Sequence, residues 1–326
     1  MIGPDVRTPA IRTENLTKRY GKLVAVDNLR LSIPQGSLFG FIGPNGAGKT
    51  TTLRMIAGLI RPTSGSVYLQ GEVVRQGNIE SIHHQIGYMP DFFGVYEDMR
   101  TWEYLDFFAR CYGLSTEKRA SVVTDLLDLV DLAGKRHAEV DSLSRGMKQR
   151  LCLAHALVHD PSILLLDEPA SGLDPRARIE IRELLQELRR MGKTIVISSH
   201  ILSELAEMCD EVGIMERGRL VAWGPLEAIE RKLQPRQVVR FQLFPPVEEA
   251  RRILEATDGV FLLDWPAAAD SDGHPVWVNV EVDGDAVDRA DILTGLFQGG
   301  IRVAACVPVE RDLENVFLRV TKGEVG

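Results

Sequence analysis

A glycine-rich run that joins an apolar strand to an amphipathic helix is the feature that most constrains how this chain folds. The apolar residues 38–42 precede the run, and behind it four apolar residues recur at helical spacing: Leu53, Ile56, Ala57 and Ile60. Strand, tight loop and helix in this order predict a buried strand of an α/β sheet that ends in a functional turn. The run follows the pattern G-x-x-x-x-G-K-S/T and consists of Gly43, Pro44, Asn45, Gly46, Ala47, Gly48, Lys49, Thr50 and Thr51.

The chemistry of this loop suits the phosphates of a nucleotide. Glycines let backbone N–H groups turn toward phosphate oxygens, because no Cβ obstructs the approach. The start of the following helix adds a dipole that favours an anion. We expect Lys49 to reach the β- and γ-phosphates of ATP and the Thr50 hydroxyl to ligate Mg²⁺. A chance glycine-rich turn is the alternative, and the flanking strand and helix argue against it.

A second apolar strand, residues 163–166, ends in the carboxylates Asp167 and Glu168. Asp167 stands at the end of the strand, where acidic residues of P-loop nucleoside triphosphatases hold the Mg²⁺ shell. Glu168 points elsewhere and can deprotonate a water aimed at the γ-phosphorus. Taken alone, the pair fits a solvated turn as well. The run Ser-Gly-Leu-Asp at residues 171–174 makes the catalytic interpretation more specific.

A third element begins at Ser144. Met147, Leu151, Ala154 and Val158 recur at helical spacing, so a helix is predicted here with Ser144 near its cap. A hydroxyl and a glycine at a helix start make a second anion site. Because the chain has one P-loop, this second site needs the phosphate of another chain.

These motifs, in this order, resemble those of the ATP-binding subunits of ABC transporters over residues 11–233. The resemblance includes a signature of the type L-S-x-G, a strand that ends in Ser-His and an aromatic residue ahead of the P-loop. It implies that Tyr20 stacks on adenine, that His200 contacts the γ-phosphate as a second catalytic residue and that Asp174 lies in a dimer loop. Taken singly, Tyr20 fits a surface aromatic and His200 a strand-end histidine. The resemblance also implies that a signature closes on the ATP of a partner subunit. This signature is formed by Ser144, Arg145, Gly146 and Met147.

Two positions depart from the family pattern. Asp91 stands where the family usually has a glutamine that touches Mg²⁺ and the water, and Arg145 and Met147 replace the more common glycine and glutamine of the signature. An extra carboxylate beside a triphosphate is unfavourable unless a cation lies between them. We therefore expect Asp91 to help hold Mg²⁺; the alternative is that it caps the following turn.

The alternation of strands and helices before residue 233 predicts an α/β fold with a mainly parallel core sheet. The resemblance adds an antiparallel β subdomain and a helical signature subdomain at about residues 92–159. Residues 236–321 read as a small ferredoxin-like α+β accessory domain, in the order strand, helix, strand, strand, helix, strand. Its predicted elements are residues 238–243, 247–256, 260–265, 276–282, 286–298 and 301–308.

The last predicted element, residues 312–321, resembles the Leu-Glu-x-Val-Phe-Leu ending of exporter ATP-binding subunits. An amphipathic terminal helix without family meaning is the alternative. No catalytic constellation is visible in this domain, so we expect a role in regulation or dimer support.

Composition narrows the class of partner. The formal net charge is −8, and residues 235–326 contribute most of it with 16 acidic against 9 basic residues. An acidic chain does not favour nucleic acid as its partner. Four cysteines without a C-x-x-C pair indicate reduced thiols and no metal site. No apolar run has the ~20 residues that span a bilayer, and no signal peptide is visible. We therefore expect a cytoplasmic protein, and the resemblance implies that a permease holds it on the inner face of the membrane.

The favoured function is that of the ATP-hydrolysing subunit of an ABC exporter. Its expected partners are ATP with Mg²⁺, a second ATP-binding subunit as a homodimer, and an integral membrane permease. One alternative is an importer subunit, although such subunits more often carry β-barrel C-terminal domains. The other alternative is a soluble ABC ATPase that acts on ribosomes or DNA. Such proteins usually have two ATPase domains or long coiled-coil insertions, and this sequence shows neither.

Overall fold

The computed structural model describes residues 9–92, 94, 98–233, 236–265, 274–283 and 289–309. The chain divides into two units, Met1–Leu226 and Glu227–Gly326. The predicted terminal element at residues 312–321 and the first three residues of the predicted helix 286–298 lie outside the described residues.

The elements of the first unit alternate between strands and helices. Its strands are β1 (Ile11–Tyr20), β2 (Leu23–Ile33), β3 (Leu38–Ile42), β4 (Ser64–Leu69), β5 (Glu72–Val73), β6 (Ile86–Met89), β7 (Ile163–Asp167), β8 (Thr194–Ser199), β9 (Glu211–Glu216) and β10 (Arg219–Gly224). Its helices are α1 (Lys49–Ile56), α2 (Ile79–Gln85), α3 (Thr101–Cys111), α4 (Thr116–Leu129), α5 (Arg145–Leu157), α6 (Pro175–Arg190) and α7 (Leu202–Ala206). The next helix, α8 (Leu226–Leu233), begins at the last residue of the first unit and belongs otherwise to the second. Single 3-10 turns occur at Gln76–Asn78, Ala133–Lys135 and Val140–Ser142.

These strands form two sheets. The smaller sheet has the order β2-β1-β4-β5 and is antiparallel. The larger has the order β10-β9-β3-β8-β7-β6, in which neighbours pair in parallel except for the hairpin β9-β10. The predicted mainly parallel core with an antiparallel subdomain is therefore confirmed.

The parallel sheet brings its functional ends together. All residues of β3, β7 and β8 are buried, as expected of strands covered on both faces. Ile42 pairs with Ser199 and Asp167 pairs with Ser198, so the carboxyl ends of the three strands lie side by side. Ligands of open α/β sheets bind at this edge.

The helical part of the first unit, α3 to α5, packs through an aromatic cluster. Tyr104 is buried and meets Phe108 and His155 edge-on, at ring centroid distances of 5.0 and 5.8 Å. The His155 ring stacks on Phe108 at 3.6 Å. The aromatic rings of α3 therefore serve the packing of this helix against α5.

The second unit has the predicted ferredoxin-like topology. Its elements are β11 (Arg236–Leu243), α9 (Val247–Ala256), β12 (Val260–Asp264), β13 (Val276–Asp283), α10 (Arg289–Gln298) and β14 (Val303–Pro308). The strands form an antiparallel sheet of order β12-β13-β11-β14. Alternate residues of β11 and β13, such as Phe241 and Val280, pack against Leu254 of α9 and Leu296 of α10 in one core.

No helix among the described residues is both long and apolar enough to span a bilayer.

Candidate functional site

The loop between β3 and α1 is shaped by close backbone contacts. A Cβ on Gly43 would lie 2.4 Å from the Met215 carbonyl oxygen, and one on Gly48 would lie 2.5 Å from that of Ala25. Gly48 also has a φ of +105°, which side chains with a Cβ rarely adopt. The helix α1 has no side-chain cap at Gly48, so its first N–H groups are available for an anion.

The Lys49 side chain folds back along the loop. Its ammonium donates to the Gly43 carbonyl oxygen at 2.6 Å and lies 3.4 Å from Oε1 of Glu168, and the side chain is only 6% exposed. A buried cation at the start of α1 is placed to neutralise phosphate charge.

Asp167 is fully buried at the end of β7. Its Oδ1 accepts hydrogen bonds from the Thr50 hydroxyl at 3.1 Å and from the Ser198 hydroxyl at 2.6 Å. Its Oδ2 is buried and has no hydrogen-bond partner among the residues that the structure describes. A buried carboxylate oxygen without a partner is costly, and hard oxygen donors suit Mg²⁺. Thr50 and Asp167 therefore fit the predicted magnesium site.

Three residues hold Glu168 in place: Lys49, His200 and Ser198. Its carboxylate is 12% exposed and lies between the Lys49 ammonium and Nδ1 of His200, with Oε2 2.9 Å from that ring nitrogen. Its backbone N–H donates to the Ser198 hydroxyl at 2.9 Å, and its φ is +50°. A left-handed conformation is uncommon for a residue with a Cβ and marks functional sites when the surroundings enforce it. A fixed carboxylate beside the P-loop lysine can accept a proton from a water.

The predicted signature lies at the start of α5. Ser144 is exposed, and its hydroxyl caps the helix by accepting from the Met147 N–H at 3.3 Å. Gly146 faces Ala177 of α6, because a Cβ there would lie 3.3 Å from the Ala177 Cβ. Arg145 reaches the loop after Glu168, where its Nη2 donates to the Ser171 carbonyl oxygen at 3.2 Å.

Other predicted site residues lie around this centre. Asp174 caps α6 by accepting from the Ala177 N–H at 2.9 Å. Tyr20 ends β1 and is 49% exposed, and the Lys18 ammonium lies 5.1 Å from the centroid of its ring. Asp91 follows β6 by two residues and is exposed.

Comparison with known proteins identifies the family. The family model "ABC transporter" matches residues 26–171. The Nod factor export ATP-binding protein I of Burkholderia pseudomallei is 35% identical over 96% of this chain and 97% of its own length. The bacitracin transport ATP-binding protein BcrA of Bacillus licheniformis is 40% identical over 72% of this chain and 74% of its own length. The chain belongs to the ABC transporter family, as an ATP-binding subunit.

A solved structure supports the same assignment for the ATPase. A bacterial ABC transporter cassette, solved as a dimer, is 27% identical, with a TM-score of 0.61 over 66% of this chain and 98% of the cassette. That cassette has also been solved in a post-hydrolysis state bound to ADP and Pi. ATP hydrolysis is the reaction of this family, and this chain is therefore an ATPase.

Two residues of the site were missed at the sequence level. Ser198 bonds both Asp167 and Glu168, and Gln149 donates from its buried amide to the Pro169 carbonyl oxygen at 2.7 Å. The signal for Ser198 was its hydroxyl directly before the Ser-His that ends a predicted strand. Gln149 lies on the predicted signature helix, but its contact depends on tertiary packing.

Proposed function

We propose that two copies of this ATPase close on two ATP molecules and energise export through a separate membrane permease. In each composite site, the P-loop of one copy binds ATP, with Tyr20 stacked on the adenine. The signature helix of the other copy completes the site, and Asp174 lies in the loop between the copies.

The observation that carries the proposal is the start of α5. Ser144 is exposed there, the first turn of the helix contains no acidic residue, and its N–H groups form a ready site for a phosphate. The P-loop of the same chain is a separate phosphate site at the start of α1. A second phosphate site without a second P-loop is explained by a partner that carries the nucleotide.

Within each site we assign the reacting groups as follows. Lys49 and the P-loop N–H groups bind the β- and γ-phosphates, and Thr50 and Asp167 would hold Mg²⁺, which would offset negative charge on the phosphates. Glu168 accepts the proton of the attacking water, and His200 holds the Glu168 carboxylate and contacts the γ-phosphate.

The direction of transport rests on the relatives. Those named above are a Nod factor export protein and a bacitracin transport protein, and the first of them matches nearly the whole chain, accessory unit included. The protein would sit on the cytoplasmic face of the membrane, bound to its permease.

Copurification tests this proposal. The tagged ATPase is purified from detergent-solubilised membranes of its native host, and the copurified proteins are identified. We expect a polytopic membrane protein in fixed ratio, and we expect the ATPase rate to rise in the complex. Recovery of ribosomes or DNA instead of a membrane protein would contradict the proposal. Transport into inside-out vesicles on addition of ATP would show export, and transport out of them would show import.

A further inference from the structure

Arg145, the signature residue that departs from the common glycine, lies against a loop of its own chain. Its Nη2 donates to the Ser171 carbonyl oxygen at 3.2 Å. Its guanidinium also covers Gly172, because a Cβ built on Gly172 would lie 2.5 Å from Cζ and from Nη2 of Arg145. Gly172 has a φ of +67° as well, so this position needs glycine for its backbone and for the space above it.

The helix itself does not favour a cation at this place. Arg145 is the first residue of α5, and a positive charge at a helix N-terminus is unfavourable because it meets the positive end of the helix dipole. The first turn holds no acidic residue that would offset this charge. The charge-assisted hydrogen bond to Ser171 supplies the stabilisation that the helix terminus lacks.

The loop that Arg145 holds begins at Glu168. The Ser171 N–H donates to the Glu168 carbonyl oxygen at 3.1 Å, while the Ser171 carbonyl oxygen accepts from Arg145. Ser171 therefore links the guanidinium of Arg145 to the backbone of Glu168. Gln149, one helical turn further along α5, holds Pro169 in the same loop. The uncommon φ of Glu168, +50°, is thus maintained by α5 on one side and by Ser198 on the other.

We propose that Arg145 is a positioning residue that orients Glu168 within its own subunit, through Ser171 and Gly172. Its guanidinium is engaged in this contact and is not a ligand of the phosphate held by the partner. The inference rests on the proposed role of Glu168 as the base. That role has its own test, the turnover of Glu168→Gln, so a failure of one can be told from a failure of the other.

A double-mutant cycle on Arg145 and Gly172 tests the inference by steady-state ATP hydrolysis. For Arg145→Ala we expect kcat to fall about tenfold, as for the loss of one charge-assisted hydrogen bond, with the KM for ATP nearly unchanged. Arg145→Lys should recover much of kcat, because an ammonium can still donate to Ser171. Gly172→Ala should lower kcat to a similar extent, because the methyl group displaces the guanidinium. The double variant should be no slower than the slower single variant.

Gly192→Ala is the matched control for backbone strain. Gly192 has a φ of +89° with nothing within 4 Å of a built Cβ, so this variant carries the strain without displacing an arginine. We expect its kcat to equal that of the wild type. If Gly172→Ala does not fold, the comparison of Arg145→Ala with Arg145→Lys still decides the question. A rise in KM at constant kcat, no recovery in Arg145→Lys, or additive losses in the double variant would overturn the proposal.

Discussion

At the scale of single residues, the site is organised around two adjacent carboxylates in different surroundings. Asp167 has one oxygen saturated by hydroxyl donors and one without a hydrogen-bond partner among the described residues. Glu168 has one oxygen near Lys49 and the other near His200. The first arrangement suits a metal ligand and the second suits a fixed proton acceptor, because each follows from what surrounds the carboxylate.

Asp91 gives a prediction at this scale. If its carboxylate helps hold Mg²⁺, Asp91→Asn removes one charge from the ion's surroundings and should raise the Mg²⁺ concentration needed for half-maximal hydrolysis. ATP affinity should change less, because the P-loop contacts remain. Asp98→Asn, at another exposed acid of the same segment, is the control and should titrate like the wild type. If Asp91→Asn needs the same Mg²⁺ concentration as the wild type, Asp91 does not serve the ion and has only a structural role.

His155 gives a prediction about pH. Burial, with a smaller effect of the nearby His159, lowers the pKa of His155 to about 4 from an ordinary value of 6.5. Between these values the unfolded chain binds a proton that the folded chain excludes, so stability falls as the pH falls. His155→Leu should flatten this slope of the unfolding free energy by up to about 1.4 kcal/mol per pH unit. Urea unfolding of the wild type and of His155→Leu at several pH values measures the unfolding free energy. Equal slopes of this free energy against pH for the two proteins would contradict the lowered pKa of His155.

The sequence alone predicts those site residues that belong to a local sequence pattern. Lys49, Thr50, Asp167 and Glu168 follow from strand, turn and helix signals, and the structure places them together at one sheet edge. The contact of Arg145 with its loop could not be predicted, because it joins segments 26 residues apart through the packing of α5 on α6.

At the scale of elements, the N-terminal end of α5 faces solvent at its cap and the loop after β7 along its first two turns. Ser144 at the cap faces solvent, while Arg145 and Gln149 face the loop that carries Glu168. Because a helix turn is rigid, a movement of this end on contact with a partner's nucleotide would also move the loop.

Ser144→Arg tests the outward-facing site. The larger arginine side chain should obstruct the approach of a partner's phosphate, so hydrolysis should fall. ATP binding to the monomer should stay close to that of the wild type. Equilibrium binding of a fluorescent ATP analogue and the hydrolysis rate measure the two effects. Ser142→Arg, at an exposed residue just before the signature, is the control and should keep both. Weak ATP binding by monomeric Ser144→Arg would show that the site acts within its own chain.

Element bounds follow the sequence where periodicity and breakers agree. β3 spans the predicted residues 38–42, and α9 spans the predicted 247–256. The apolar stripe behind the P-loop extends to Ile60, yet α1 ends at Ile56 because Gly58 turns the chain with a φ of +71°. Periodicity continues past a helix end when the following turn buries the same face, so the stripe alone overestimates the length.

At the scale of the whole molecule, the described motifs all lie in the first unit, and the second unit has its own core. The predicted boundary near residue 235 remains a prediction, and removal of residues 235–326 tests it. Fragment 1–234 should fold and bind ATP, because the P-loop and its supporting strands are retained. Circular dichroism and ATP binding measure this outcome. An insoluble fragment, or one that does not bind ATP, would make the second unit part of the ATPase core.

The central claim is that two copies close on ATP with Glu168 as the base, and Glu168→Gln tests it most directly. The amide cannot accept a proton, so turnover should fall by ~10²–10⁴-fold while ATP binding is kept. Lys49→Ala is the control, because it should lose ATP affinity and remain monomeric.

The decisive measurement is the mass of Glu168→Gln by light scattering during size exclusion in MgATP. The account predicts a dimer, with twice the 36.2 kDa mass of the chain, and a return to monomer when nucleotide is removed. A protein that binds ATP but stays monomeric at every ATP concentration would contradict it.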